Sequence, residues 1–180
     1  MTESGLRIAF GGKMGSGKDT AVDYLISKYN NKKQSSHKLS FACPIYNILY
    51  HAQSICGFKR EKDRKFLQWI GTEWAKSRDS NVWINILLKN ANSYPSSDNK
   101  LLSDLRFPDE FKALKNNGWK CIHIIRPMDT QVGTTDMDTH ISETSLEDIP
   151  KDEWDYIVIN DGTLEDLYKK LNEIKFLNIN

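Results

Sequence analysis

The sequence predicts an α/β fold in which a parallel sheet lies between layers of helices, and three observations carry that prediction. Short apolar runs alternate with helical patterns, beginning with strand, glycine-rich loop and helix. The run over residues 119–125 is nearly uniformly apolar at its centre, as strands covered on both faces are. At 180 residues the chain is long enough for one full core and short for two domains.

Each element has its own local reason. Residues 6–10 form an apolar strand, and the helix after the glycines buries Val22, Leu25, Ile26 and Tyr29 at helical spacing. A polar loop over residues 30–36 leads to a second strand, 37–41. Pro44 opens a helix with the stripe Ile45, Ile48, Leu49 and Ala52, ending near Gly57. The charged stretch 59–65 reads as a solvated helix start, and the helix it opens has Phe66, Trp69, Ile70 and Trp74 on its buried side. Asp79, Ser80 and Asn81 form a cap-like cluster before a helix over residues 82–91 that turns Trp83, Ile86 and Leu87 inward. After a turn-rich loop, residues 100–104 make a strand ending in Asp104. Pro108, Asp109 and Glu110 start the next helix and Asn117-Gly118 ends it. Residues 127–143 are polar and aperiodic, a lid-like segment. The last strand is 156–159, and Thr163 with Asp166 caps a helix whose apolar face is Leu164, Leu167, Tyr168, Leu171 and Ile174.

Composition narrows the function. With 25 basic and 24 acidic residues there is no charge excess to favour a nucleic acid or a membrane surface as the main partner, so anion binding must be local. Cys43, Cys56 and Cys121 are odd in number and widely spaced, without zinc-site spacing, and read as reduced and mostly buried. No long apolar run marks a membrane span and residues 1–4 lack a signal-peptide core, so the expected location is cytoplasmic.

The chemistry concentrates at Gly12-Lys13-Met14-Gly15-Ser16-Gly17-Lys18-Asp19-Thr20. Gly12, Gly17 and Lys18 have the spacing of a phosphate loop, whose glycines let backbone N–H groups face phosphate oxygens while a lysine reaches the outer phosphates. The following helix adds its positive end. Asp19 stands where the usual motif has a magnesium-binding hydroxyl, so either Asp19 or Thr20 could hold the ion through water. Ligands of parallel sheets bind beyond the carboxyl ends of the strands, where Asp104, Arg106 and Arg126 fall. A carboxylate there can hold a magnesium-bound water or orient an attacking oxygen, and arginines can clamp a transferring phosphoryl group or simply be solvated. Arg64 and Arg78 flank one helix and could reach a further anion. These parts suit phosphoryl transfer, with residues 43–91 as an acceptor-binding insert and the lid limiting hydrolysis.

Several segments together resemble the phage-type deoxynucleoside monophosphate kinases: the loop with its Ser-Gly-Lys-Asp form; Leu39-Ser40-Phe41-Ala42-Cys43-Pro44; Arg64 with Leu67-Gln68-Trp69-Ile70-Gly71-Thr72-Glu73 and Arg78; Trp83; Ser103-Asp104-Leu105-Arg106-Phe107-Pro108-Asp109-Glu110; His140-Ile141-Ser142-Glu143; and Asn160-Asp161-Gly162-Thr163. The resemblance implies a three-layer P-loop NTPase fold with a parallel five-stranded sheet, in one domain spanning residues 1–180. It also implies transfer of the γ-phosphate of ATP, with Mg2+, to a deoxynucleoside 5′-monophosphate. Lys18 would bridge the donor phosphates, and Asp19, Thr20 and Asp104 would attend the metal. Arg64 and Arg78 would hold the acceptor phosphate, with Gln68 and Trp83 near its base or sugar. Asp104 and Arg106 would lie at the transfer point, and Arg126 on the lid side. Cys43 departs from the family, which often has an acid there. Two other readings compete: a P-loop kinase for phosphomevalonate or dephospho-coenzyme A, and a non-catalytic nucleotide-binding switch. No apolar stripe decides for or against a homodimer.

Overall fold

The computed structural model describes residues 4–127 and 145–178. Apart from Pro127, the lid expected over residues 127–143 therefore lies outside the described residues, as do His140 and Glu143. The chain divides into two compact units, Met1–Lys38 with Pro95–Asn180, and Leu39–Tyr94.

The first unit is built on a five-stranded sheet. Its strands are β1 (Arg7–Gly11), β2 (Ser36–Leu39), β3 (Asn99–Leu105), β4 (Lys120–Ile125) and β5 (Tyr156–Ile159), in the order β2-β3-β1-β4-β5. The pairings of β1 with β3, β1 with β4 and β4 with β5 are parallel, as the apolar strand centres predict. β1 thus lies between strands reached by connections running in opposite directions, the switch point at which such sheets bind ligands. Ala9 pairs with Leu102 but Gly11 pairs with Leu105, so β3 carries one residue more than β1 between those pairs. The irregularity falls at Ser103 and Asp104. Bulges of this kind re-aim side chains beside active sites.

One face of the sheet packs against α1 (Lys18–Asn31) and α6 (Leu164–Glu173). Ile8, Phe10, Leu101, Ile122, Ile124 and Val158 meet Val22, Leu25, Tyr29, Leu167 and Leu171 there. Each fully buried Leu or Val of that face contributes about 1.5–3 kcal/mol relative to exposure. Tyr24 and Tyr168 stack at 4.1 Å between ring centroids and pin the two helices together. The capping box predicted from Thr163 and Asp166 is present. α5 (Pro108–Asn116) belongs to the other face, where Phe111 and Trp154 pack at 4.7 Å. Gly118, at φ 75°, ends α5 in the left-handed turn that favours glycine.

The second unit contains α2 (Cys43–Ile55), α3 (Arg64–Gln68) and α4 (Val82–Ser93). Two expectations are corrected here. α3 passes into a π-helical turn over Trp69–Trp74, so residues five apart come onto one side. Trp69 and Trp74 consequently lie side by side, ring centroids 6.4 Å apart, and are 44% and 40% exposed instead of buried. Ile70 alone of that group is fully inside, at 5%. Cys43 and Cys56, expected to be mostly buried, are exposed at the two ends of α2, and only Cys121 is interior. Among the described residues no helix is long and apolar enough to cross a membrane.

Candidate active site

The glycine-rich loop occupies the turn from β1 into α1, and its backbone explains its composition. Gly12, Gly15 and Gly17 all have positive φ, at 141°, 75° and 102°. At Gly12 a side chain is also excluded by space, since a Cβ would lie 2.2 Å from the Ile124 carbonyl oxygen. Lys18 opens α1 and is only 8% exposed. Its Nζ donates to the carbonyls of Gly12 and Lys13 at 2.7 and 2.6 Å, which holds the ammonium against the loop. Among the described residues, buried Ser16 Oγ has no hydrogen-bond partner. A buried hydroxyl in that state costs about 1–3 kcal/mol, and a ligand oxygen in the loop would satisfy it.

Asp19 and Ser103 meet across 84 residues of sequence. The Ser103 hydroxyl donates to Asp19 Oδ1 at 2.6 Å, and Lys38 Nζ reaches the same oxygen at 3.3 Å while bonding Asp23 at 2.8 Å. Oδ2 of Asp19 makes neither bond. Partial burial works to raise the Asp19 pKa, but the Ser103 hydroxyl and Lys38 ammonium, with Lys18 beyond, outweigh it and hold the carboxyl below its usual value. Asp19 is therefore a carboxylate at neutral pH. Thr20, the other metal candidate, is half-buried beside it.

Asp104 is half-buried at the irregular end of β3, and Arg106 is exposed just past it. The turn between β3 and α5 is held by Glu110, whose Oε2 accepts the N–H groups of Arg106 and Phe107 at 3.0 and 3.1 Å. Arg126 follows β4 and borders a cavity of about 400 Å³ with Gly15, Gly17, Lys18, Asp19 and Thr20. Asn160, Gly162, Thr163 and Leu164 also line this cavity. A second cavity of about 430 Å³ shares Arg126 and includes Gly12, Lys13, His123 and Glu147. His123 stacks on Trp154 at 4.6 Å, and burial, reinforced by Lys18, lowers its pKa and keeps it neutral.

In the second unit Arg64, Gln68 and Arg78 are exposed. The Arg78 guanidinium lies 4.5 Å above the Trp74 ring and donates to the Trp74 carbonyl at 2.6 Å. Trp83 is different. It is 5% exposed and its indole N–H donates to the Gly71 carbonyl at 2.7 Å, inside the π-helical turn. Trp83, expected near the acceptor's base or sugar, thus has its one polar atom engaged within its own unit.

Residues 60–171 match the family model for deoxynucleotide monophosphate kinases. The chain belongs to the deoxynucleotide monophosphate kinase family. Among its relatives, an uncharacterized protein (ORF77) of Ictalurid herpesvirus 1 is 32% identical over 91% of this chain and 67% of its own length. A protein of Acanthamoeba polyphaga mimivirus with a provisional deoxynucleotide monophosphate kinase name is 29% identical over 89% of this chain and 91% of its own. The deoxynucleotide monophosphate kinase of Enterobacteria phage T4 is 31% identical over 63% of this chain, which covers 46% of that enzyme. This chain thus spans less than half of the phage protein. The fold is that of P-loop kinases: the APS kinase of Mycobacterium tuberculosis superposes with a TM-score of 0.55 at 13% identity, covering 96% of this chain and 98% of that one. Shikimate kinase of Bacteroides thetaiotaomicron gives 0.54 at 16% identity, covering 95% and 98%.

Three residues of this site are given no functional role by the sequence. Ser103 reads there only as part of a strand, and Asn160 only as part of a turn. Leu164, expected on a buried helix face, is 53% exposed and lines the loop cavity. The available signal is position: Ser103 lies among the last residues of β3, before Asp104, and Asn160 directly follows β5, both toward the carboxyl ends of their strands.

Proposed function

We propose that this kinase-family chain transfers the γ-phosphate of ATP to a deoxynucleoside 5′-monophosphate, within one domain in which residues 43–91 form the acceptor-binding insert. The observation that carries the reading is the loop itself, three positive-φ glycines with the Lys18 ammonium held against the loop carbonyls beside a cavity of about 400 Å³ that Lys18 helps line. Phosphoryl transfer asks for positioning and charge stabilisation more than for a covalent nucleophile, and this arrangement offers both. The polyphosphate would lie in the loop on the backbone N–H groups, with the nucleoside end toward Asn160, Gly162 and Leu164.

Among the described residues no cluster of three or more His, Cys, Asp or Glu could hold a metal ion alone. That suits Mg2+, which keeps several waters and binds through one or two carboxylates plus substrate phosphates. Asp19, with Oδ2 outside its Ser103 and Lys38 bonds, Thr20 and Asp104 are the residues that would hold it. When bound it would neutralise phosphate charge. Lys18 would bridge the donor phosphates, and Arg106 and Arg126 would add positive charge near the transferring group. Arg64 and Arg78 would take the acceptor phosphate, with Gln68 beside the nucleoside. The cytoplasm, that of the host if the chain is viral, is the proposed location.

The test is ATP consumption across a panel of deoxynucleoside monophosphates, phosphomevalonate and dephospho-coenzyme A. Turnover is expected with at least one of the nucleotides, and Lys18→Ala should lower it by about 10²–10³-fold, as loss of one charge-stabilising donor does. Turnover of another acceptor alone would overturn the proposed substrate. Near-normal turnover by Lys18→Ala would overturn the role of the loop.

A further inference from the structure

Asn160 terminates β5 and is buried, at 6% exposure. Its backbone N–H donates to the Ile125 carbonyl at 2.7 Å, one residue before Arg126. Its side-chain Nδ2 donates to the Ser16 carbonyl at 2.9 Å, within the glycine-rich loop. One residue therefore joins the end of β4, the turn before α6 and the phosphate loop.

The fit to the loop is close. A Cβ added at Gly17 would lie 2.8 Å from Asn160 Nδ2, so the amide fills the space that a side chain at residue 17 would need. Gly17 also has φ 102° and caps α1. Peptide bonds are planar and trans, so a Ser16 carbonyl held toward Asn160 turns the Gly17 N–H the opposite way, off the β5 turn. That N–H belongs to the set on which a phosphate is bound in loops of this kind.

We infer that Asn160 is a positioning residue: its amide fixes the Ser16–Gly17 peptide and ties the nucleoside end of the cavity to the phosphate end. This rests on the phosphate-binding role proposed above for the loop. Asn160 touches no reacting atom. It acts through the loop, setting the direction of a backbone donor before the ligand arrives. An amide is required because the partner is a carbonyl. A carboxylate at this position would bring oxygen against oxygen, and a shorter side chain would not reach.

Binding of ATP and of inorganic tripolyphosphate to the full chain, measured by calorimetry for wild type, Asn160→Asp and Asn160→Ser, tests the assignment. Tripolyphosphate is the deciding probe because it lacks a nucleoside and reports on the loop alone. Both variants should bind it about tenfold or more weakly, with Asn160→Asp the worse, and the ATP KM should rise while the acceptor KM is unchanged. Affinities are taken per folded molecule, at temperatures below each variant's melting point. If Asn160→Asp does not fold, the neutral Asn160→Ser decides. Tripolyphosphate affinity equal to wild type in a folded variant, with only a lower melting temperature, would overturn the positioning role and leave the loop reading intact. Failure of wild type to bind either probe would instead overturn the loop reading on which this one depends.

Discussion

Glu110 gives the fold a pH dependence that can be worked out in advance. Its carboxyl is 5% exposed, and burial pushes its pKa from the ordinary 4.5 to about 7, although the N–H groups of Arg106 and Phe107 pull the other way. Asp104 and Asp109 add repulsion. In the unfolded chain the group titrates near 4.5, so between that value and about 7 the folded state binds the extra proton. Its contribution is accordingly whole below pH 4.5 and is lost as pH rises through about 7. At about 1.4 kcal/mol per factor of ten in proton affinity, the loss across the window is about 3 kcal/mol. Glu110→Gln keeps an acceptor oxygen for the two N–H groups and removes the titration. Urea unfolding of both proteins at steps from pH 4.5 to 8 should show wild type losing about 3 kcal/mol relative to the variant. The comparison isolates one group. His123, whose lowered pKa makes stability rise with pH in part of this window, is common to both proteins, and the lowered carboxyls of Asp19 and Asp155 titrate below it. Parallel stability curves would refute the burial argument.

Two other outcomes are expected. Replacing Arg78 by Ala should raise the KM for the acceptor about tenfold while leaving that for ATP unchanged, and steady-state kinetics with an unaltered acceptor KM would remove Arg78 from the acceptor site. Gly12→Ala and Gly15→Ala should differ sharply in thermal unfolding. Gly12→Ala sets a Cβ 2.2 Å from the Ile124 carbonyl and should cost more than about 3 kcal/mol, whereas Gly15→Ala meets open space and should cost about 1 kcal/mol through its positive φ. Equal melting temperatures for the two would contradict the packing account.

The parts of the molecule that can be read from the chain are those governed by neighbours in sequence. Gly12, Gly17 and Lys18 mark the loop between β1 and α1, Thr163 and Asp166 announce a cap, and Pro108 with Gly118 brackets α5; all of these are within a few residues of what they control. The alternation of strands and helices likewise makes the parallel sheet legible, although the strand order is not derivable from periodicity. Trp69 and Trp74 mislead for a physical reason. Phe66, Trp69, Ile70 and Trp74 have the spacing of one α-helical face, but the chain there forms a π-helical turn, which has no simple sequence signal and brings Trp69 and Trp74 together at the surface.

The site is half legible for a related reason. The rule that ligands lie beyond the carboxyl ends of strands points to Lys18, Asp104, Arg106 and Arg126, because charge makes a strand-end residue conspicuous. Ser103, near the carboxyl end of β3, and Asn160, just past β5, carry none, and a serine or asparagine in such a place is ordinarily unremarked. The structure bonds these two neutral residues directly to the loop region, Ser103 to Asp19 and Asn160 to the Ser16 carbonyl. The division follows from what each part must do. A group that holds a buried carbonyl or bonds a carboxylate from inside the sheet must be desolvated, which costs far less for an amide or hydroxyl than for an ion. Charge is therefore what makes Asp104, Arg106 and Arg126 candidates in the sequence, whereas the neutral Ser103 and Asn160 show themselves only through the bonds that tie them to the loop region.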